Sequence, residues 1–317
     1  MNRNFKKEFL RKYIYIVGII LGLVLLLLQI IKGITGLKNQ FLTLYYPIQM
    51  IFSFFFIALA MGLQIISWNL LMNSVGLIIP FSKIFKGYLF SFIPRYVPGT
   101  IWGYLGRSEW LLQNYNIPYT LSNFGSILEI IASITANIIL IGFYYLYEQN
   151  HFSLFFCLFL IVITPIIVGL IIKLMLNNPF LEKFLVRHTS SIIIKSPKLV
   201  NWYIATMIFI IHWLLYGLAL SCLASSFGLI SALNIEKILI MSANYALSWL
   251  IGFLIIFAPS GLGFREYALT CLLTVYLGFT IAQASIFSVT TRLITAITEL
   301  LWLIFAGIWD KILYRSK

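Results

Sequence analysis

Residues 259–266 read Pro259-Ser260-Gly261-Leu262-Gly263-Phe264-Arg265-Glu266, and they interrupt a long apolar segment spanning about 236–278. Proline removes a backbone donor and breaks a helix, while glycine permits positive φ and close backbone approach. A second interruption lies within about 82–116 and carries Arg95, Pro98, Gly99, Trp102, Gly106, Arg107 and Glu109. After the break at Pro259 roughly 13 residues remain before Gly278, about 20 Å of helix, short of a ~30 Å hydrocarbon core. Each interrupted segment is therefore read as a broken hairpin that re-enters the side it came from.

The rest of the chain sets the solvent. It has 317 residues, with 61% hydrophobic and only 10% charged side chains and a mean hydropathy of +0.98. A soluble domain carries about 25% charge. Lipid admits only helices or closed barrels, and continuous apolar runs without period-two alternation exclude the barrel. The expected fold is an all-α polytopic membrane protein. Full crossings are expected at about 13–31, 46–75, 121–147, 152–176, 200–227 and 281–309, with the two re-entrant hairpins added. A hydropathy count that includes hairpin arms gives seven or eight. The basic start before Tyr13 leads into a run too long for a signal-peptide core, with no cleavage site after it, and reads as an uncleaved anchor.

Charge tests the layout. Of the 22 lysines and arginines, fifteen fall on the side of the N-terminus, three (Lys32, Lys38, Lys237) on the other, and four (Arg95, Arg107, Arg265, Arg292) within the membrane segments. This bias puts both termini in the cytoplasm, in a plasma-membrane protein. The pI near 9.6 then belongs to the membrane surface, and nucleic acid is excluded as a partner. The cysteines Cys157, Cys222 and Cys271 all sit in apolar runs and read as small buried hydrophobes.

Two halves look alike. Asn73-Ser-Val-Gly76-Leu-Ile matches Ser225-Ser-Phe-Gly228-Leu-Ile; the Pro98-Gly99 break parallels Pro259 to Glu266; Glu129 to Thr135 matches Arg292 to Thr298. The chain is read as one integral membrane domain over 1–317. It comprises an anchor (1–44), a first repeat (45–147), a connecting span with a basic cytoplasmic loop (148–199) and a second repeat (200–317). Three crossings separate the repeat starts, so the second repeat is inverted, a pattern shared with transporters.

Four arginines and four glutamates (Glu109, Glu129, Glu266, Glu299) stand in these segments. At about 2.5–3.5 kcal/mol each, eight would cost roughly 20–28 kcal/mol, beyond the ~5–15 kcal/mol net stability of a fold. They must pair, line a wet cavity or lie near the interface. Ser122, Ser126, Glu129, Ser133 and Asn137 share one helical face, and so do Ser285, Ser288, Arg292, Thr295 and Glu299. The stripes are expected to face each other, with Glu129 paired to Arg292; separate pairs that hold helices together are the alternative. Half-helices beginning after each break aim positive ends inward, and arginine suits phosphate. The substrate-binding set is therefore Arg95, Pro98, Gly99, Trp102, Arg107, Glu109, Glu129, Pro259, Gly261, Gly263, Arg265, Glu266, Arg292 and Glu299. A tight turn whose arginine bonds backbone carbonyls is the other reading.

These motifs resemble the lysylphosphatidylglycerol synthase transmembrane-region family, also called flippase-like integral membrane proteins. The resemblance rests on the Pro-Gly stretch leading to Gly106-Arg107, on Glu129, and on Pro259 to Glu266. Ser260 stands where the family often has glycine, and Ile130 where it often has arginine. The best-known members add a soluble domain that transfers an amino acid to phosphatidylglycerol. This sequence ends at Lys317, soon after Trp309, so a stand-alone member is expected and lysyl transfer is not implied. The resemblance implies translocation of a lipid or lipid-linked saccharide in envelope biogenesis. Membrane lipids and envelope-biosynthesis enzymes are the expected partners. No enzyme activity, cofactor or metal is expected; a membrane-embedded glycosyltransferase or an accessory scaffold is the alternative.

Overall fold

A computed structural model describes residues 3–36, 44–96, 102–148, 153–177, 197–231, 233–256 and 258–315. These residues are helical, with no strand among them. The helices are α1 (Arg3–Gly36), α2 (Pro47–Ser74), α3 (Phe81–Phe90), α4 (Trp102–Tyr115), α5 (Tyr119–Glu148), α6 (Leu154–Leu176), α7 (Leu199–Ser226), α8 (Ile235–Leu254), α9 (Phe264–Leu277) and α10 (Ile281–Arg315). Short 3-10 turns stand at Pro94–Tyr96, between α3 and α4, and at Pro259–Gly261, between α8 and α9. Both interrupted segments are thus broken helices: the second breaks at Pro259–Gly261 as expected, and the first leaves its helix before a turn at Pro94–Tyr96, the expected break at Pro98-Gly99 lying outside the described residues.

Among the described residues α2, α5, α6, α7, α8 and α10 are long and apolar enough to cross a membrane. α8 enters this set although the sequence reading made it a re-entrant arm: its 20 residues reach about 30 Å. The other arms are short, with 10, 14 and 14 residues in α3, α4 and α9. α1 is one continuous helix of 34 residues.

The same terminal devices recur in both halves. α2 ends with Gly76 at φ 89° and α7 with Gly228 at φ 68°. In each, the glycine N–H donates three residues back (Gly76 to Asn73, Gly228 to Ser225), and the next N–H reaches five back (Leu77 to Met72, Leu229 to Ala224). This is a glycine-terminated helix end, forced by the orphan carbonyls of the last turn. α4 and α9 end alike, with Ile117 N–H donating to Leu111 and Phe279 N–H to Leu273, both at 3.4 Å. That equivalence puts Arg292 opposite Ile130, one place beyond the match of Glu129 with Arg292 drawn from sequence.

The chain divides into two compact units, one of residues 1–58, 91–103 and 216–317, the other of residues 59–90 and 104–215. In the first, α1 packs on α9 and α10, α9 packs on α8 and α10, and the two 3-10 turns touch each other. The tip of the first hairpin thus belongs with the second hairpin. In the described part of α1, Gly22, Gln29 and Gly33 are its buried residues and lie on one face. Small residues there let backbones approach. A Cβ on Gly263, which has φ 79°, would collide with the Gly22 carbonyl, and one on Gly261 would meet Gly252 Cα at 2.7 Å.

In the second unit α5 packs on α6. His212 of α7 bonds α2: its Nδ1 donates to the Ala60 carbonyl (2.7 Å), so its Nε2 is the acceptor for Gln64 Nε2 (3.1 Å). His212 is thus a bonded core residue. Cys157 and Cys222 are buried as expected, but Cys271 is exposed on α9.

Gly263→Ala should lower stability by about 1–3 kcal/mol, because it meets both a positive φ and a backbone neighbour. Gly142→Ala, with nothing within 4 Å of the new Cβ, should be neutral or raise stability by up to about 1 kcal/mol. Thermal unfolding of the detergent-solubilised protein measures both.

Candidate functional site

The second unit holds one caged ion pair. Arg107 on α4 is 1% exposed and forms an ion pair with Glu129 on α5. Its Nε also donates to Ser126 Oγ at 3.0 Å, and the other Glu129 oxygen accepts from Tyr88 at 2.6 Å. The guanidinium lies over Trp68, Tyr88 and Tyr104, with ring centroids at 4.3, 5.0 and 4.9 Å. Aromatic faces attract a desolvated cation by roughly 2 kcal/mol or more. Every charge here is therefore met by hydrogen bonds and ring faces together.

The first unit holds the larger cluster, built where the hairpin tips meet α10. Arg95 Nη1 bonds Glu299 Oε1 at 2.9 Å, and the Tyr96 hydroxyl donates to Glu299 Oε2 at 2.7 Å. Glu266 sits in the first turn of α9, where its Oε2 accepts from the Gly263 N–H at 2.6 Å. A helix N-terminus favours a carboxylate, and here the chain supplies its own. The Arg292 Nε stands 3.7 Å from Glu266 Oε1, and its guanidinium lies 5.5 Å from the Tyr96 ring. Arg265 lies over Tyr245 at 4.6 Å, and Tyr245 stacks on Tyr216.

Three arginines thus meet two glutamates. Among the described residues Arg265 has no carboxylate partner, and the buried Arg292 Nη2 and Glu266 Oε1 have no hydrogen bond. A cavity of about 10 Å³ is bounded by Arg265, Glu266, Arg292, Ser288 and Thr291 with Tyr245 and Leu269. That is room for about one water. The charges survive burial by pairing rather than by opening onto a wet hollow.

Both polar stripes are buried as their spacing predicted, except that Arg292 is half-buried. The pairing of Glu129 with Arg292 is corrected: Arg107 and Tyr88 take Glu129, and Glu266 and Tyr96 take Arg292. The reason is local. The first hairpin folds its own arginine back against α5 within its unit, so both oxygens of Glu129 already have a near partner. The alternative of separate pairs is what the fold adopts. Glu109 lies outside both clusters, bonded to Gln113 at 2.5 Å, and Trp102 is exposed at the start of α4. Pro98 and Gly99 fall outside the described residues. Pro259, Gly261 and Gly263 shape the second tip beside the cluster.

Sequence reasoning missed Tyr96, Tyr88, Trp68, Tyr104 and Tyr245. Only Tyr96, next to Arg95, carried a local hint. Aromatic residues make up 17% of the chain, so an aromatic in an apolar run signals nothing by itself.

A family described as the lysylphosphatidylglycerol synthase TM region matches residues 15–302, nearly the whole chain. The chain belongs to that family. Lysylphosphatidylglycerol synthase TM regions are multi-pass membrane proteins of lipid or cell-envelope biology, in keeping with the six apolar helices. No curated protein and no solved structure matches the chain. Within this family member, Arg107, Glu129, the Pro259–Gly263 tip and the Arg265-Glu266 pair, which carried the resemblance, stand in or beside the two charge clusters.

Removing either member of the Arg107–Glu129 pair strands a buried charge. Arg107→Met and Glu129→Gln should each cost about 3–5 kcal/mol, and the double variant clearly less than the sum. Exchanging the charges of Glu129 and Arg292 should rescue nothing. Thermal unfolding followed by tryptophan fluorescence reads all of these.

Proposed function

We propose that this protein is a carrier, not an enzyme, that moves a lipid or lipid-linked saccharide with an anionic headgroup across the plasma membrane in envelope biogenesis. One observation carries the reading: the cluster at the touching hairpin tips has one more arginine than glutamate, with Arg292 Nη2 buried and unbonded. A phosphate would complete that set, since arginine presents a planar fork of donors.

A tail path supports it. Beside Glu299, α10 and the start of α2 form an apolar groove of about 420 Å³, walled by Phe54, Phe55, Leu301 and Phe305 among others. A headgroup drawn to the arginines would leave its chains in such a groove, still in apolar surroundings. The recurring helix ends of the two halves agree with an inverted repeat. In that arrangement the hairpins re-enter the membrane, both termini are cytoplasmic, and access alternates about the tips. The 10 Å³ cavity fits an occluded state, from which the tips must part before a headgroup enters.

In proteoliposomes carrying fluorescent phosphatidylglycerol, phosphatidylcholine or a polyprenyl phosphate, the protein should speed transbilayer movement of the anionic lipids. Arg265→Gln should slow it about tenfold or more at unchanged thermal stability; Arg292→Gln should slow it as much and also lower stability, because it leaves Glu266 without its cation. Movement no faster than in protein-free vesicles, or unaltered in both variants, would contradict the carrier. A transfer product formed by the purified protein would favour the glycosyltransferase instead.

A further inference from the structure

Apart from the arginine cluster, the first unit contains a second cavity, of about 310 Å³, between α1, α9 and α10. Its size falls at the lower end of the roughly 300–1,000 Å³ typical of ligand pockets. Leu25 and Leu28 of α1 face Val275 of α9 and Ile281 of α10 across it, and all four are apolar. Lys32 also lines it and is exposed, and no carboxylate pairs with Lys32 among the described residues.

The wall is not wholly oily. Gln29 is 3% exposed and Ser285 1% exposed, and both line the cavity. Gln29 Oε1 and Ser285 Oγ have no hydrogen-bond partner. The Gln29 amide reaches the Gly263 carbonyl at 3.4 Å, too long to be a strong bond. Buried polar atoms without partners cost about 1–3 kcal/mol each, so a ligand that bonds them is favoured at this wall. A mainly apolar slot, with the hydroxyls of Tyr267, Thr270 and Thr274 also on its α9 wall, that carries unpaired polar atoms and one uncompensated cation has the parts that a phospholipid needs: room for chains, partners for ester linkages, a charge for phosphate.

We propose that this pocket holds an anionic phospholipid, one acyl chain lying between α1 and α9, its glycerol region at Gln29 and Ser285, and its phosphate on Lys32. The bound lipid is a fixed one, distinct from any lipid that is carried. Free phosphate or glycerol phosphate would gain the lysine but leave the apolar walls uncovered. Because Gln29 and Gly22 both touch the Gly263 tip, the lipid also braces α1 against the second hairpin.

Cys271 gives the test a reporter, since it lines the same pocket and is exposed, while Cys157 and Cys222 are buried. The full chain in maltoside micelles is treated with N-ethylmaleimide and the labelled peptides are quantified. Added phosphatidylglycerol should slow Cys271 labelling about fivefold more than phosphatidylcholine does, the preference expected of one lysine facing an anionic headgroup. Glycerol 3-phosphate should not protect. Lys32→Gln should abolish the preference while leaving lipid transport intact, and native mass spectrometry should show retained phosphatidylglycerol on the wild type and its loss from the variant. Equal protection by both lipids, a preference that survives Lys32→Gln, protection by glycerol 3-phosphate alone, or a Cys271 that does not label without lipid would each overturn the proposal. The readouts are of binding, so a failed transport assay leaves them standing and their failure leaves the carrier reading standing.

Discussion

An ionised group in hydrocarbon must find its counter-charge inside the protein, and that demand organises this fold. Arg95 and Tyr96, from the tip of the first hairpin, close on Glu299 of the last helix. This brings the first tip into contact with the second and into the same compact unit as the C-terminal half. Two carboxylates, Glu266 and Glu299, are shared among Arg95, Arg292 and Tyr96, while Arg265 lies over the Tyr245 ring. None of these groups would be stable there alone, because the attraction that rewards pairing in low dielectric also penalises every unpaired charge.

Backbone chemistry makes the meeting possible. A continuous helix would present side chains, not a turn, at this depth. A proline opens the 3-10 turn that follows each first arm, Pro94 after α3 and Pro259 after α8. Gly261 and Gly263 then take positive φ, and Gly252 and Gly22 leave room for their backbones. The N–H groups freed by the break are not left open: the Gly263 N–H goes to Glu266, three residues on. The same carboxylate faces Arg292, so the residue that caps α9 also ties it to α10. A single side chain thereby links the local break to the long-range ion pair.

Much of this was legible in the sequence because it depends on local periodicity. The membrane class followed from continuous apolar runs. The breaks followed from Pro259, Gly261 and Gly263, and the buried polar faces of α5 and α10 from steps of three and four residues. Partner choice was not legible. Glu129 and Arg292 looked matched because they occupy similar places in similar helices, yet Arg107, 22 positions earlier in the chain, reaches Glu129 first. The recurring helix ends would align Arg292 with Ile130, one residue away from the match that the charges suggested. The aromatic partners of the arginines were hidden for a different reason: a tyrosine facing lipid and one facing a guanidinium are spelled identically. Cys271 reads like the two buried cysteines, since what exposes it is the gap between α1 and α9.

The central claim is that Arg95 and Glu299 hold the first hairpin tip in the charge cluster of the second. A double-mutant cycle with Arg95→Gln and Glu299→Gln, measured by unfolding in micelles, tests it most directly. Contact predicts a coupling of about 1–3 kcal/mol, with the double variant less destabilised than the sum of the singles. Additivity within about 0.5 kcal/mol would mean the two residues do not interact, and the meeting of the tips would have to be abandoned.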